Sequence, residues 1–259
     1  MREGKGPHLL LRLYRKTIVI IVLLVLWWIL PQFIESMYFP PLGVILAEFR
    51  RNIENGELLI NLYTSLRVSI IGLAVAEVLG ISIGALIGWF KRVDRYLNAL
   101  FQVMRCTSIL ALLPLFVLLF GAGELSKIII IAWATIFPTM INTAQGVRNL
   151  EPVLVRSARS MGVRGVGLFL KIILPSASPY ILAGFRLSAS ISLLVLVAAE
   201  MLGAAHGLGL MINDASRNFQ VTRMYVGMLT IMILGVVLNA ALVWLERRLT
   251  VWQERAVSA

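Results

Sequence analysis

Two carboxylates, Glu77 and Glu200, stand inside long apolar runs of this 259-residue chain and are the first candidates for chemistry. A carboxylate at membrane depth costs about 2.5–3.5 kcal/mol on insertion scales, so such a group faces a polar cavity or a partner. Catalysis needs more than this. His8 and His206 are far apart in sequence, and Cys106 is the single cysteine. That leaves no metal-ligand cluster and no intrachain disulfide. The sequence lacks the G-x-x-x-x-G-K-[ST] phosphate loop, and GVRGVG at 162–167 has the wrong spacing for a dinucleotide fingerprint. With no nucleophile–base set either, the residues point away from an enzyme. They suit a protein that moves or holds something, with no metal and no cofactor bound directly.

The second notable group is a basic stretch, VRSARSMGVRGVGLFLKIILP, at 155–175. It carries Arg156, Arg159, Arg164 and Lys171 and no acid. Glu151-Pro152 suits a helix start, and residues 153–161 supply two turns. Gly162 tolerates the left-handed conformation that ends a helix. A second helical stretch is expected over 165–173, ended by Pro175. Two short helices joined at a glycine form a protruding knuckle, a shape that docks into a groove on a partner.

The elements that must position these groups follow from composition. The chain is 59% hydrophobic and 14% charged, with a mean hydropathy of +0.88. Soluble domains average about half and about a quarter. The expected fold class is all-α: a polytopic membrane protein with six transmembrane helices in one domain. Residues 1–64 supply the first span and an external helix, 65–248 the core, and 249–259 a tail. The spans fall at about 17–34, 68–90, 97–120, 128–147, 179–202 and 224–245. The third is interrupted by Arg105-Cys106-Thr107-Ser108 and Pro114. The first apolar run lacks a small-x-small cleavage site and is read as a retained span. A net charge of +11 suggests nucleic acid in a soluble protein, but here the basic residues alternate with apolar spans, so no nucleic-acid partner is expected. Sixteen of the 24 Lys and Arg fall before span one, after span six and in the two loops on that same side. Five fall on the other side. This split puts both termini and the 155–175 loop in the cytoplasm. Residues 42–55, with Val44, Ile45, Phe49 and Ile53 at helical spacing, read as an amphipathic helix on the outer bilayer surface.

Within the spans, Glu200 lies near an outer end and lines or gates a pathway, or else ties span five to a neighbour. Glu77 pairs with a span-end arginine or carries a proton. Ser108 and Asn142, with Thr107, Thr135, Ser188, Ser190 and Ser192, offer neutral polar groups that contact cargo or bond helix to helix. Arg105 and Arg186 add positive charge toward the cytoplasmic side. Gly80, Gly84 and Gly88 leave one face of span two nearly bare, so another helix can approach closely. That face suits either a moving interface or static packing within one subunit.

Ala158-Arg159-x-x-Gly162, followed by Ile173-Leu174-Pro175 and Pro179-x-x-x-x-Gly184-x-Arg186, resembles the cytoplasmic EAA loop of ABC-importer permeases. The resemblance extends over nearly the whole chain, to the branch serving nitrate, sulfonate and taurine. Tyr38-Phe39-Pro40-Pro41, Ser65-Leu66-Arg67-Val68, Leu113-Pro114-Leu115, Phe137-Pro138, Ala199-Glu200-Met201 and Gly207-Leu208-Gly209 match in order. It implies a homodimeric permease in a bacterial-type inner membrane, moving cargo by alternating access. Each loop would dock on a separate cytoplasmic ABC ATPase subunit, which binds the ATP and Mg, and an external solute-binding protein would deliver cargo. By that analogy the coupling helix holds Arg156, Ser157, Ala158, Arg159, Met161 and Gly162. The sequence departs from the pattern: Arg156 and Ser157 replace the family's Glu and first Ala, and Asn98 and Ser108 stand where prolines are usual. Arg156 either meets a compensating acid on the ATPase or is a solvated edge residue. The competing class is a secondary transporter or channel acting without an ATPase, which predicts inverted repeats of broken helices. No clear internal repeat is visible.

Overall fold

The computed structural model describes residues 18, 22, 25–29, 38–203 and 205–249, and every regular element among them is a helix. In chain order these are α1 (Leu42–Glu54), α2 (Glu57–Trp89), α3 (Lys91–Cys106), α4 (Ile109–Phe120), α5 (Glu124–Arg148) and α6 (Pro152–Ser160). There follow α7 (Gly165–Ser176), α8 (Ser178–Gly203), α9 (Leu208–Arg217) and α10 (Val221–Leu249). Four of them, α2, α5, α8 and α10, are long and apolar enough to cross a membrane. Counting the bent pair α3–α4 as one span gives five. The expected first span at 17–34 lies largely outside the described residues, as does the tail beyond 249. Within 25–29, Trp27 meets Tyr225 of α10 edge-on, with ring centroids 5.4 Å apart.

The expected third span is not one rod. Its two segments, Leu100–Cys106 and Ile109–Phe120, meet at 93°. Thr107 and Ser108 are both extended there, and the Thr107 hydroxyl donates back to the Val103 carbonyl at 3.3 Å. The polar run expected to interrupt the span therefore breaks it outright. Pro114 lies within α4 and does not end it. Residues 42–54 do form a helix, but Val44 and Ile53 are exposed; Ile45 and Asn52 point inward, and Phe49 packs with Ile45.

The core is a three-helix seam. α2 and α5 run parallel and α8 runs antiparallel to both. Their approach is set by small residues on α2 at every fourth position: Gly72, Ala76, Gly80, Gly84 and Gly88. A Cβ on Gly80 would stand 3.0 Å from the Ile136 carbonyl, and one on Gly88 would stand 2.9 Å from the Ala144 carbonyl. A Cβ on Gly84 would overlap the carbonyl of Met140. The bare face expected at Gly80, Gly84 and Gly88 thus lies against α5 of the same chain. α8 closes the other side: Gly184 admits Thr139 and Asn142, and Ser69 and Ser192 face each other at 3.3 Å between α2 and α8. Ion pairs staple the helix ends: Arg67 to Glu124 and Arg223 to Glu57 at one end, Arg148 to Asp94 (2.5 Å) at the other.

Overpacking a close contact costs about 1–3 kcal/mol or more. Gly84→Val is expected to lower the thermal unfolding midpoint in detergent by several degrees, because the α2 and α5 backbones must separate. Gly43→Ala, where a Cβ meets nothing within 4 Å, leaves the midpoint unchanged or raises it. Equal behaviour of the two variants in a thermal scan would contradict the seam.

Candidate functional site

The 151–176 segment folds as a rigid knuckle. Pro152 opens α6, where its missing N–H costs nothing. The helix ends in a complete Schellman closure: Val163 N–H donates to the Ala158 carbonyl (3.1 Å), and Gly162 N–H donates to Arg159 (3.0 Å). Gly162 holds the left-handed position at φ +84°. Ala158 turns inward with Val155 and Val163 onto Leu168, Ile173, Ala177 and Val147 of α5. Trp89 at the end of α2 meets Phe169 edge-on at 6.2 Å. The outward face presents Arg156, Ser157, Arg159, Met161 and Gly162, with Val153 and Leu154 beside them. So the knuckle exposes both apolar Val153, Leu154 and Met161 and basic Arg156 and Arg159, while Ala158 is its inner anchor.

Pro175 does not end the second stretch, which runs on to Ser176. Phe169–Ile173 form a π-turn, with Leu174 N–H donating to Phe169. A proline ring presses the carbonyl four residues back, and the wide turn immediately before Pro175 relieves that pressure.

Glu200 occupies the other end of the seam, near α9. It is fully buried, and both of its oxygens are engaged. Ser65 donates to Oε1 at 2.7 Å, and Gly209 N–H donates to Oε2 at 2.8 Å. Ser65 also accepts from Leu208 N–H, and Asn61 accepts from Gly207 N–H, each at 2.9 Å. These three side chains satisfy the first N–H groups of α9, where a negative charge also complements the helix dipole. Any side chain at Gly207 would collide with the Glu200 carboxylate. Lys127, counted with the loops from sequence, is buried within electrostatic reach of Glu200 and Glu124.

Glu77 lies elsewhere, in the middle of the seam. Thr139 donates to it at 2.7 Å, Ser188 stands 2.9 Å from Thr139, and Ser188 donates to the Thr135 carbonyl at 2.7 Å. This partner is a hydroxyl on α5 rather than the arginine considered from sequence. Asn142 donates to the Pro138 carbonyl at 2.8 Å and lines a cavity of about 440 Å³ between α3, α5 and α8. Ser108 stands at the α3–α4 break, beside that cavity and outside its lining. Of the four residues proposed for a pathway, Asn142 and Ser108 therefore lie at one cavity, while Glu77 and Glu200 stand apart from it and from each other. Asn61, Ser65 and Thr139 were given no role from sequence. The signal for Asn61 and Ser65 was the i, i+4 spacing of small and polar residues on α2, read only at its glycines; Thr139, on α5, had none.

A bundle of long apolar helices joined by buried hydroxyl and carboxylate contacts defines a multi-pass membrane protein. Residues 78–251 match the model of the binding-protein-dependent transport system inner membrane component. The chain is 35% identical over 234 residues to the putative aliphatic sulfonates transport permease protein SsuC of Bacillus subtilis, covering 90% of this chain and 85% of that one. It is 32% identical over 238 residues to the taurine transport system permease protein TauC of Escherichia coli, covering 89% and 86%. The fold resembles inward-facing structures of the MetNI methionine ABC transporter, with a TM-score of 0.68 at 17% identity over 74% of this chain and 96% of that chain. The chain belongs to the binding-protein-dependent inner-membrane permeases of ABC transporters, in the nitrate, sulfonate and taurine branch.

Glu200→Ala strips acceptors from Gly209 N–H and Ser65, at about 1–3 kcal/mol per unsatisfied group. Amide exchange at Leu208 and Gly209 is expected to accelerate about tenfold or more, and less in Glu200→Gln, which keeps one acceptor. Unchanged exchange in the alanine variant would remove Glu200 from the clamp. At the knuckle, Gly162→Val forces a branched residue into the left-handed region at about 1–2 kcal/mol, while asparagine tolerates it. Limited proteolysis at 160–165 should therefore quicken in Gly162→Val and change little in Gly162→Asn.

Proposed function

We propose that this chain is the transmembrane permease subunit of an ATP-driven importer for a small solute. It would work as a homodimer in a bacterial-type inner membrane, with six spans per copy and both termini cytoplasmic. The observation that carries the reading is the α6–Gly162–α7 knuckle. It is preorganised by its Schellman closure and seated directly on the ends of α2, α5 and α8. Its exposed Val153, Leu154 and Met161 fit an apolar groove, and Arg156 and Arg159 fit an acidic rim of an ATPase subunit. ATP and Mg belong to that partner, and the chain itself performs no catalysis. When two ATPase subunits close, they draw two knuckles together, and rigid-body rocking exchanges inward for outward access. An external solute-binding protein would deliver cargo at the α1–α9 end. The named cargoes of the relatives, aliphatic sulfonates and taurine, favour a small oxyanion-bearing solute here.

The test is a mild-detergent purification of the tagged chain from its native membrane, paired with uptake of taurine and ethanesulfonate by cells. An ATPase subunit is expected to co-purify and to be lost with Arg159→Glu. Gly162→Pro, impossible at φ +84°, should insert normally yet abolish uptake. Uptake that persists after deletion of the ATPase gene would overturn the importer in favour of a secondary transporter.

A further inference from the structure

Several arginines at the helix ends and in the seam have partners. Arg67 pairs with Glu124, Arg148 with Asp94, and Arg223 with Glu57. Arg186 bonds Asn239 at 3.1 Å and lies 3.9 Å from Glu246. Arg105, like Arg92, Arg95 and Arg217, has no hydrogen bond or ion pair among the described residues and is exposed, but it lines two cavities along α5.

Its place is set by the backbone. Arg105 lies in the last turn of α3, where a helix C-terminus favours a cation. Two residues later the chain bends by 93°, which leaves the guanidinium on the wall between two cavities. One, of about 440 Å³, runs along α5 from Trp133 to Asn142. The other, of about 320 Å³, runs along α5 from Met140 to Arg148. Arg105 and Ile141 line both. Together the cavities follow α5 from mid-span to its end, about 22 Å at 1.5 Å per residue. Neither lining contains an aspartate or glutamate. Asn142 supplies an amide to the first, and Gln102 and Gln145 supply amides to the second. Trp133 and Phe137 form an apolar wall in the first. A cavity of a few hundred Å³, mostly apolar with a few convergent polar groups, is the usual form of a small-ligand site. The exposed guanidinium at this helix end faces both cavities with no carboxylate in either lining, and its planar fork matches an oxyanion in two-point contact.

We propose that Arg105 is the anion-contacting, specificity-determining residue of a solute route between α3, α5 and α8. The oxyanion head of a small solute rests on the guanidinium, aided by the amides of Asn142 and Gln145. Its short apolar body lies against Trp133 and Phe137. Solutes with a cationic head are rejected at the same point. This rests on the importer reading, because it supposes that a soluble cargo reaches the cavity.

The test uses the chain with its ATPase subunits in phosphatidylcholine nanodiscs, reading the fluorescence of Trp133, with a Trp133→Phe complex as blank. The probe is sodium ethanesulfonate, and ethylammonium at matched chloride is the charge-reversed control. A saturable change with ethanesulfonate and none with ethylammonium is expected. The half-saturating concentration should rise about tenfold or more in Arg105→Gln, since a charge-assisted contact is lost, and recover in part in Arg105→Lys. A wild-type response that is absent, or that Arg105→Gln leaves unaltered, overturns the proposal. So does a change that appears only when phosphatidylglycerol is added, because the anion on Arg105 is then a lipid headgroup. If no ATPase co-purifies, the importer reading fails, and the chain alone is titrated in the same way. An intact ATPase complex that ignores ethanesulfonate removes only the role given to Arg105.

Discussion

The close approach of α2 to α5 is the constraint on which the other contacts depend. Every fourth residue of α2 from Gly72 to Gly88 lacks a side chain or carries a methyl, and the α5 backbone fills that space. In lipid, apolar side chains gain little by leaving one hydrocarbon for another, so close van der Waals contact and interhelical hydrogen bonds must hold helices together. The glycine ridge supplies the first. It also brings a hydroxyl into range for the second: Thr139 of α5 reaches Glu77 of α2, and Ser188 of α8 joins Thr139 from the side that Gly184 lets close in.

Both working ends of the molecule are built onto this seam. At one end, Val147 of α5 and Trp89 of α2 form the floor beneath the knuckle, and Gly146 lets Tyr180 of α8 sit against α5. At the other, Asn61 and Ser65 of α2 and Glu200 of α8 hold the start of α9. A push on α6 therefore meets a stack of interlocked backbones rather than a flexible tether. Packed interfaces of this density shift as bodies rather than bending continuously. On this view Glu200 transmits and holds. The solute contact proposed above falls to the region beside the α3–α4 break, where Arg105 lines two cavities.

Much of this was legible in the sequence where a residue type has one physical meaning. Gly162 after a basic helical stretch announced a left-handed helix end, and it is one. The long apolar runs gave α2, α5, α8 and α10 to within a few residues, except the start of α2. There residues 57–67, with Glu57, Asn61, Ser65 and Arg67, continue the helix, and Asn61 and Ser65 face the α9 clamp. What stayed hidden depended on partners distant in sequence. Nothing local distinguishes Glu200 as a helix clamp from Glu200 as a gate; that required Ser65, 135 positions away. Lys127 reads as a loop residue because hydropathy cannot see a buried amine near two carboxylates. Pro175 reads as a terminator because a π-turn has no sequence signature of its own.

The rigidity of the seam is most directly tested by a distance within one chain through the transport cycle. Spin labels at Met161 on the knuckle and Phe219 beside α9, both exposed, report the two ends, with the exposed Cys106 replaced by serine. Labelled copies are diluted with unlabelled ones in the complete complex, and pulsed dipolar spectra are recorded without nucleotide and with trapped ATP. A seam that moves as one body gives the same Met161–Phe219 distance in both states. A shift of several ångströms would mean that α2, α5 and α8 slide past one another, and that the glycine ridge is a sliding surface rather than a weld.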